Sequence, residues 1–150
     1  MPQVTLSTGQ AYSLDSTLVL RIRRSLPSDA LPIGKTRIDM GAQLQANEGP
    51  EAVAAAVKAE LPVLVRFTTS DGSPVWTNAR KAMAPWYVPP TNRTNGVQSA
   101  FMIANKVQYV TETPHAVADI IAAAGGTPLP ADRIATPESS TDEPELPTWD

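Results

Sequence analysis

Apolar and polar positions alternate along short stretches of this chain, then switch twice to a helical period. Val4-Thr-Leu-Ser-Thr8 alternates as a half-buried strand does, Thr8-Gly-Gln10 turns, and Ala11-Tyr-Ser-Leu14 reads as the returning strand of a hairpin. Leu18-Val-Leu-Arg-Ile-Arg-Arg24 places Leu18, Leu20 and Ile22 on one face and Val19, Arg21 and Arg23 on the other, which predicts a third strand with a basic outer face. Pro27, Pro32 and Gly34 punctuate a loop over 25–35, and Thr36–Met40 and Ala42–Ala46 flank Gly41 as a second hairpin. Pro50 suits the first turn of a helix, where its missing N–H is not needed. Val53, Ala56, Val57 and Leu61 then recur at helical spacing, and Pro62 ends the helix.

The remainder repeats this order. Val63–Thr68 reads as a strand, Ser70-Asp-Gly-Ser73 as a tight turn and Pro74–Thr77 as the return. Residues 79–88 stand where the first copy has its third strand, and 89–96 form a long loop. Ala100–Ala104 and Val107–Val110 flank Asn105-Lys106 as another hairpin. Thr113 is a good N-cap, Pro114 takes the first helical position, and Val117, Ile120, Ile121 and Ala124 form an apolar face that Gly125-Gly126 stops. Glu48-Gly-Pro-Glu-Ala-Val-Ala54 and Glu112-Thr-Pro-His-Ala-Val-Ala118 differ at two positions, 64 residues apart. The expected architecture is therefore α+β: two tandem small antiparallel-sheet units, 1–61 and 62–126, each closed by a C-terminal helix. An extended acidic Pro/Ser/Thr-rich arm over 127–150 completes it.

Charge separates that arm from the rest. Residues 127–150 carry six acids against Arg133, giving −5, while the body carries nine acids and eleven Lys/Arg, giving +2. Such a balance does not suit nucleic-acid binding. The absence of cysteine excludes disulfides, thiolate metal sites and cysteine nucleophiles, and a single histidine argues against His-rich zinc sites and a Ser-His-Asp triad. Met1-Pro-Gln-Val-Thr5 has neither a basic nor an apolar leader region, and no apolar run reaches the ~20 residues of a membrane span. The reading is a soluble protein made in a bacterial cytoplasm, without a membrane partner.

Val65-Arg-Phe-Thr-Thr-Ser-Asp-Gly72, Val75-Trp-Thr-Asn78, Tyr109-Val-Thr-Glu112 and the final Pro-containing helix form a pattern over residues 63–124 that resembles the FlbD-like family of small bacterial flagellar regulators. It covers about 60 residues, more faintly repeated in the first copy, and implies an adaptor acting through protein contacts, with no catalytic residues to transfer. A regulatory adaptor binding a transcription factor is the alternative it suggests.

Candidate chemistry is sparse. His115 reads as a solvated residue of a first helical turn, and Glu48 and Glu112, just before each helix, read as caps or dipole partners rather than a carboxylate pair. Arg21, Arg23 and Arg24 lack interleaved aromatics, so a solvated sheet face or a salt-bridged interface is favoured over a phosphate site. Asn92-Arg-Thr94 matches a glycosylation sequon but reads only as loop. No catalytic residue, metal or cofactor is assigned. Trp76, Trp86 and Tyr87 have no counterparts in the first copy, so they fill a joint between subdomains or form a partner surface. Leu146 and Trp149 lie in a polar arm with no core of its own to enter, which reads as an anchor for a groove on another molecule. These residues predict a non-enzymatic structural protein: an accessory or decoration component of a phage particle that clamps neighbouring capsid subunits within a homo- or hetero-oligomer. Its location would then be the virion.

Overall fold

The computed structural model describes residues 1–29, 32–93, 95–129 and 147–149. The chain is α+β. Its described strands are β1 (Gln3–Thr5), β2 (Ala11–Ser13), β3 (Arg21–Arg24), β4 (Thr36–Asp39), β5 (Gln43–Ala46), β6 (Leu64–Thr68), β7 (Pro74–Asn78), β8 (Ala82–Trp86), β9 (Ser99–Ile103), β10 (Lys106–Val110) and β11 (Thr127–Pro128). Two helices, α1 (Pro50–Glu60) and α2 (Pro114–Ala123), follow β5 and β10.

The chain forms two compact units whose limits do not follow the sequence repeats. Met1–Arg66 and Ser73–Asn78 make one, while Phe67–Gly72 and the described residues from Ala79 onward make the other. The hairpin expected to open a second repeat therefore gives β7 and the first part of β6 to the first unit. β7 pairs antiparallel with β3, through Arg21 opposite Thr77 and Ile22 opposite Trp76, and the five-stranded sheet runs β5-β4-β3-β7-β6.

In the first unit one sheet face is apolar. Ile22, Ile38 and Ala46 pack with Val53, Ala54 and Val57 of α1, with Val4, Leu14 and Val19, and with Leu61 and Leu64. Alternation then sends Arg21, Arg23, Arg37 and Asp39 to the other face. The register of β3 differs from the expectation in one respect: the strand starts at Arg21, because Asp15 caps a 3-10 turn over Ser16–Leu18. Leu18 is consequently 50% exposed while Val19 is buried. On α1, Ala54 rather than Ala56 faces the core.

In the second unit the four-stranded sheet runs β10-β9-β8-β11. Ala104 and Asn105 both adopt positive φ in the two-residue turn between β9 and β10, which is the twist a tight hairpin requires. The helix α2 packs on β8, β9 and β11. Thr127 and Pro128, the first two residues of the segment read from the sequence as an arm, belong to this sheet, parallel to Met83 and Ala84. Gly126 permits that return: a Cβ there would meet the carbonyl oxygens of Ala79 and Ala82 and the Ile121 methyl. A second small core gathers Val88, Val97, Ala100 and Val107, with Trp86 and Tyr109 packed against it.

Candidate partner-binding surface

Three arrangements of side chains stand out, and each traces to a feature of the sequence. The first is the polar face of the first unit. Arg23 lies directly opposite Arg37 across β3 and β4, a like-charge pairing that costs stability unless something separates the two. Asp29, from the 25–35 loop, does so. Its Oδ1 accepts from Arg23 Nη2 at 2.8 Å and from Arg37 Nη1 at 3.0 Å, and its Oδ2 from the Leu26 amide at 2.8 Å. Asp39 likewise accepts from Arg21 Nε at 2.8 Å and Arg37 Nε at 2.9 Å. Burial pushes the Asp29 carboxyl up, but hydrogen bonds from Arg23, the Leu26 amide and Arg37 outweigh it and hold the group well below the usual carboxylate range. Of the two readings the sequence left open for these arginines, the solvated face is set aside: they form a buried Arg–Asp ladder. Arg21 is 0% exposed, and Arg23 is also buried. These guanidiniums are committed to carboxylates of their own unit, which fits the salt-bridged reading and not a phosphate site.

The second arrangement occurs twice. Glu48 accepts the Thr5 amide with both carboxylate oxygens, at 2.9 and 3.0 Å, and Glu112 accepts the Thr68 amide at 2.9 Å. The Thr36 hydroxyl donates to the Glu48 carbonyl at 2.6 Å, and Ser99 donates to the Glu112 carbonyl at 2.8 Å. The Asn47 amide donates to Thr5 O at 2.8 Å and the Thr111 amide to Thr68 O at 2.9 Å. Both acids were expected to serve the helix start. They instead tie the start of each helix to a strand more than 40 residues earlier. The Thr5 amide holds the Glu48 carboxyl below its ordinary pKa against a smaller opposing effect of burial. At the helix itself only Thr113 caps through its side chain, to the Ala116 amide at 3.2 Å; Gly49 has the same backbone angles and no such bond.

The third arrangement lies along the outer edge of β10, whose other side pairs with β9. Val107 opposes Met102 across that pair, in a register that leaves the N–H and C=O of Val107 directed outward. Both are taken by the chain's own C-terminal segment. The Val107 amide donates to Pro147 O at 2.9 Å, and the Trp149 amide donates to Val107 O at 3.0 Å, so that Thr148 bridges Val107 in parallel. The indole Nε1 of Trp149 donates to Ile103 O at 3.2 Å, and Lys106 Nζ stands 4.6 Å from the centre of the Trp149 rings. Trp149 is 9% exposed. The reading that it has no core of its own to enter is corrected: it seats on its own β10. Farther along the same edge, Thr69, Ser70, Val107, Gln108 and Tyr109 line a hollow of about 110 Å³.

The other residues singled out from the sequence belong partly to one unit and partly to the other. Trp76 packs half-buried against the first unit's core, and Trp86 against the second unit's small core. Tyr87 is half-buried beside it in sequence, and Leu146 lies outside the described residues. His115 is exposed on the first turn of α2. Of the residues quoted for the FlbD-like resemblance, Asp71 accepts from the Thr69 hydroxyl in the turn, Asn78 donates to Val19 O at 3.1 Å, and Glu112 accepts from the Thr68 amide. Among the described residues no three His, Asp or Glu side chains converge as a metal would need, and no helix is long and apolar enough to cross a membrane. What sequence reasoning missed is the β10 edge, because an edge is a property of pairing, which no local pattern encodes. No protein-family model matches the chain, and no curated protein or solved structure matches it.

Proposed function

We propose that this chain is a non-enzymatic structural protein, an accessory or decoration component of a phage particle that joins neighbouring subunits by strand addition and a tryptophan anchor. The observation that carries this reading is the seating of Pro147–Trp149 on β10, a mode of attachment in which backbone hydrogen bonds supply affinity and one aromatic supplies the fit. A duplicated body supports it. The paired Glu48–Thr5 and Glu112–Thr68 bonds, the matched Thr36 and Ser99 bonds and the equal backbone angles at Gly49 and Thr113 favour two tandem sheet-plus-helix units of common origin. Duplicated units with an added arm offer repeated contact surfaces to a repeating lattice, and the partner is accordingly a protein assembly rather than nucleic acid or membrane.

The test is co-sedimentation. Tagged full chain is expressed in its native source, particles are separated on a density gradient, and the chain is sought in the particle fraction. Enrichment there, reduced at least tenfold by Trp149→Ala, supports the reading. Recovery only in the soluble fraction, bound one-to-one to a transcription factor, would replace it with the regulatory adaptor.

A further inference from the structure

We infer that the β10 edge is an acceptor for the C-terminal strand of a second copy of this chain, so that copies held side by side exchange their arms. This deepens the reading above, and rests on it only for the high local concentration that exchange needs. Three observations carry it. The acceptor is built for an extended segment: Val107 offers one outward donor and one outward acceptor, Ile103 O takes the indole N–H, and Lys106 covers the ring. The occupant is a short segment of the same chain, seated through residues 147–149. Seventeen residues separate Pro147 from Leu129, the last described residue before it.

A connection of that length gives the chain's own arm an effective concentration on the order of millimolar at its own groove. In dilute solution each arm therefore occupies its own β10. The bonds themselves do not record which copy the arm comes from, so at millimolar local density a neighbour's arm competes evenly. Exchange then links copies without any contact that the single chain lacks. The Arg–Asp ladder and the hollow beside Tyr109 add no comparable signal, since the ladder's guanidiniums are bound by carboxylates and nothing marks an occupant for the hollow.

Two full-length variants test this. Trp149→Ala disables the arm and leaves the edge. Val107→Pro removes the edge's outward N–H and leaves the arm, at a position where an edge strand tolerates proline. Each alone is expected to be monomeric by light scattering up to about 0.5 mM, while an equimolar mixture forms a one-to-one heterodimer. In parallel, a synthetic peptide of residues 143–150 is titrated onto full-length Trp149→Ala. It should shift the amide resonances of Lys106 and Val107, and its Trp149→Ala counterpart should bind at least about tenfold more weakly. Absence of heterodimer with both variants folded, or self-association of either variant alone, overturns the inference. If Val107→Pro fails to fold, the peptide decides: no binding up to about 1 mM overturns it equally. Such a failure would leave the sedimentation test with particles unaffected.

Discussion

The Nε of Arg21 donates to Oδ2 of Asp39 at 2.8 Å, and both side chains are withdrawn from water. Because Asp39 also accepts from Arg37, its removal leaves two guanidiniums without that acceptor. Asp39→Ala should therefore destabilise the fold by about 3–5 kcal/mol, the range found when one partner of a buried pair is lost. Arg24→Ala, an exposed residue bonded to the Ser73 hydroxyl, should cost less than about 1 kcal/mol. Urea denaturation followed by tryptophan fluorescence compares the two.

Stability should fall in acid for a specific reason. The Asp29 and Glu48 carboxyls are both depressed in the folded chain, so each contributes stability that is fully present above the unfolded carboxyl pKa of about 4 and is lost as pH falls through the folded value. The denaturation midpoint should hold from pH 7 to about 5 and drop progressively below it. Asp29→Asn should start lower and show a shallower acid limb. An acid limb as steep as the parent's would remove Asp29 as its source.

The two acid–amide ties should be energetically alike. Glu48→Ala and Glu112→Ala each remove the acceptor of a partly buried strand amide, and a loss of roughly 1–2 kcal/mol is expected from either. Loss confined to one of them, measured by thermal unfolding, would argue against equivalent roles.

Helix starts offer a test with opposite signs. Thr113→Ala should cost about 1 kcal/mol through loss of its bond to the Ala116 amide. Gly49→Ser should instead stabilise, by roughly 0.5–1 kcal/mol, because it supplies a cap and restricts the unfolded chain. The position has the right backbone angles, and an added Cβ meets nothing within 4 Å.

Gly126→Ala should be among the most damaging single-methyl additions. Its Cβ would collide with the backbone carbonyls of Ala79 and Ala82 and with Ile121, at the point where the chain leaves α2 to pair with β8. A loss of more than about 2 kcal/mol is expected, read from the urea midpoint.

By itself the sequence determined most of the elements. Alternation over Val4–Thr8 and Leu18–Arg24 marked strands, turn residues bounded those at Thr36–Met40 and Val63–Thr68, and the Pro50 and Pro114 cassettes marked both helices, because strand and helix periods are local properties of the chain. The repeated Glu-x-Pro word was legible too, although not the task of its glutamates, whose amide partners lie 43 and 44 residues away. Only the tertiary structure decided which strands pair across the repeat boundary, so that β7 joins β3. Pairing of β3 with β4 buried Arg21 and Arg23 beside aspartates from a loop and from β4 itself. The order β10-β9-β8-β11 of the other sheet left β10 with the outward edge on which Trp149 seats. The reason is common to all three: backbone donors, buried charges and sheet edges are satisfied by whatever the fold brings near, and that proximity is set by long-range packing rather than by the residues alongside.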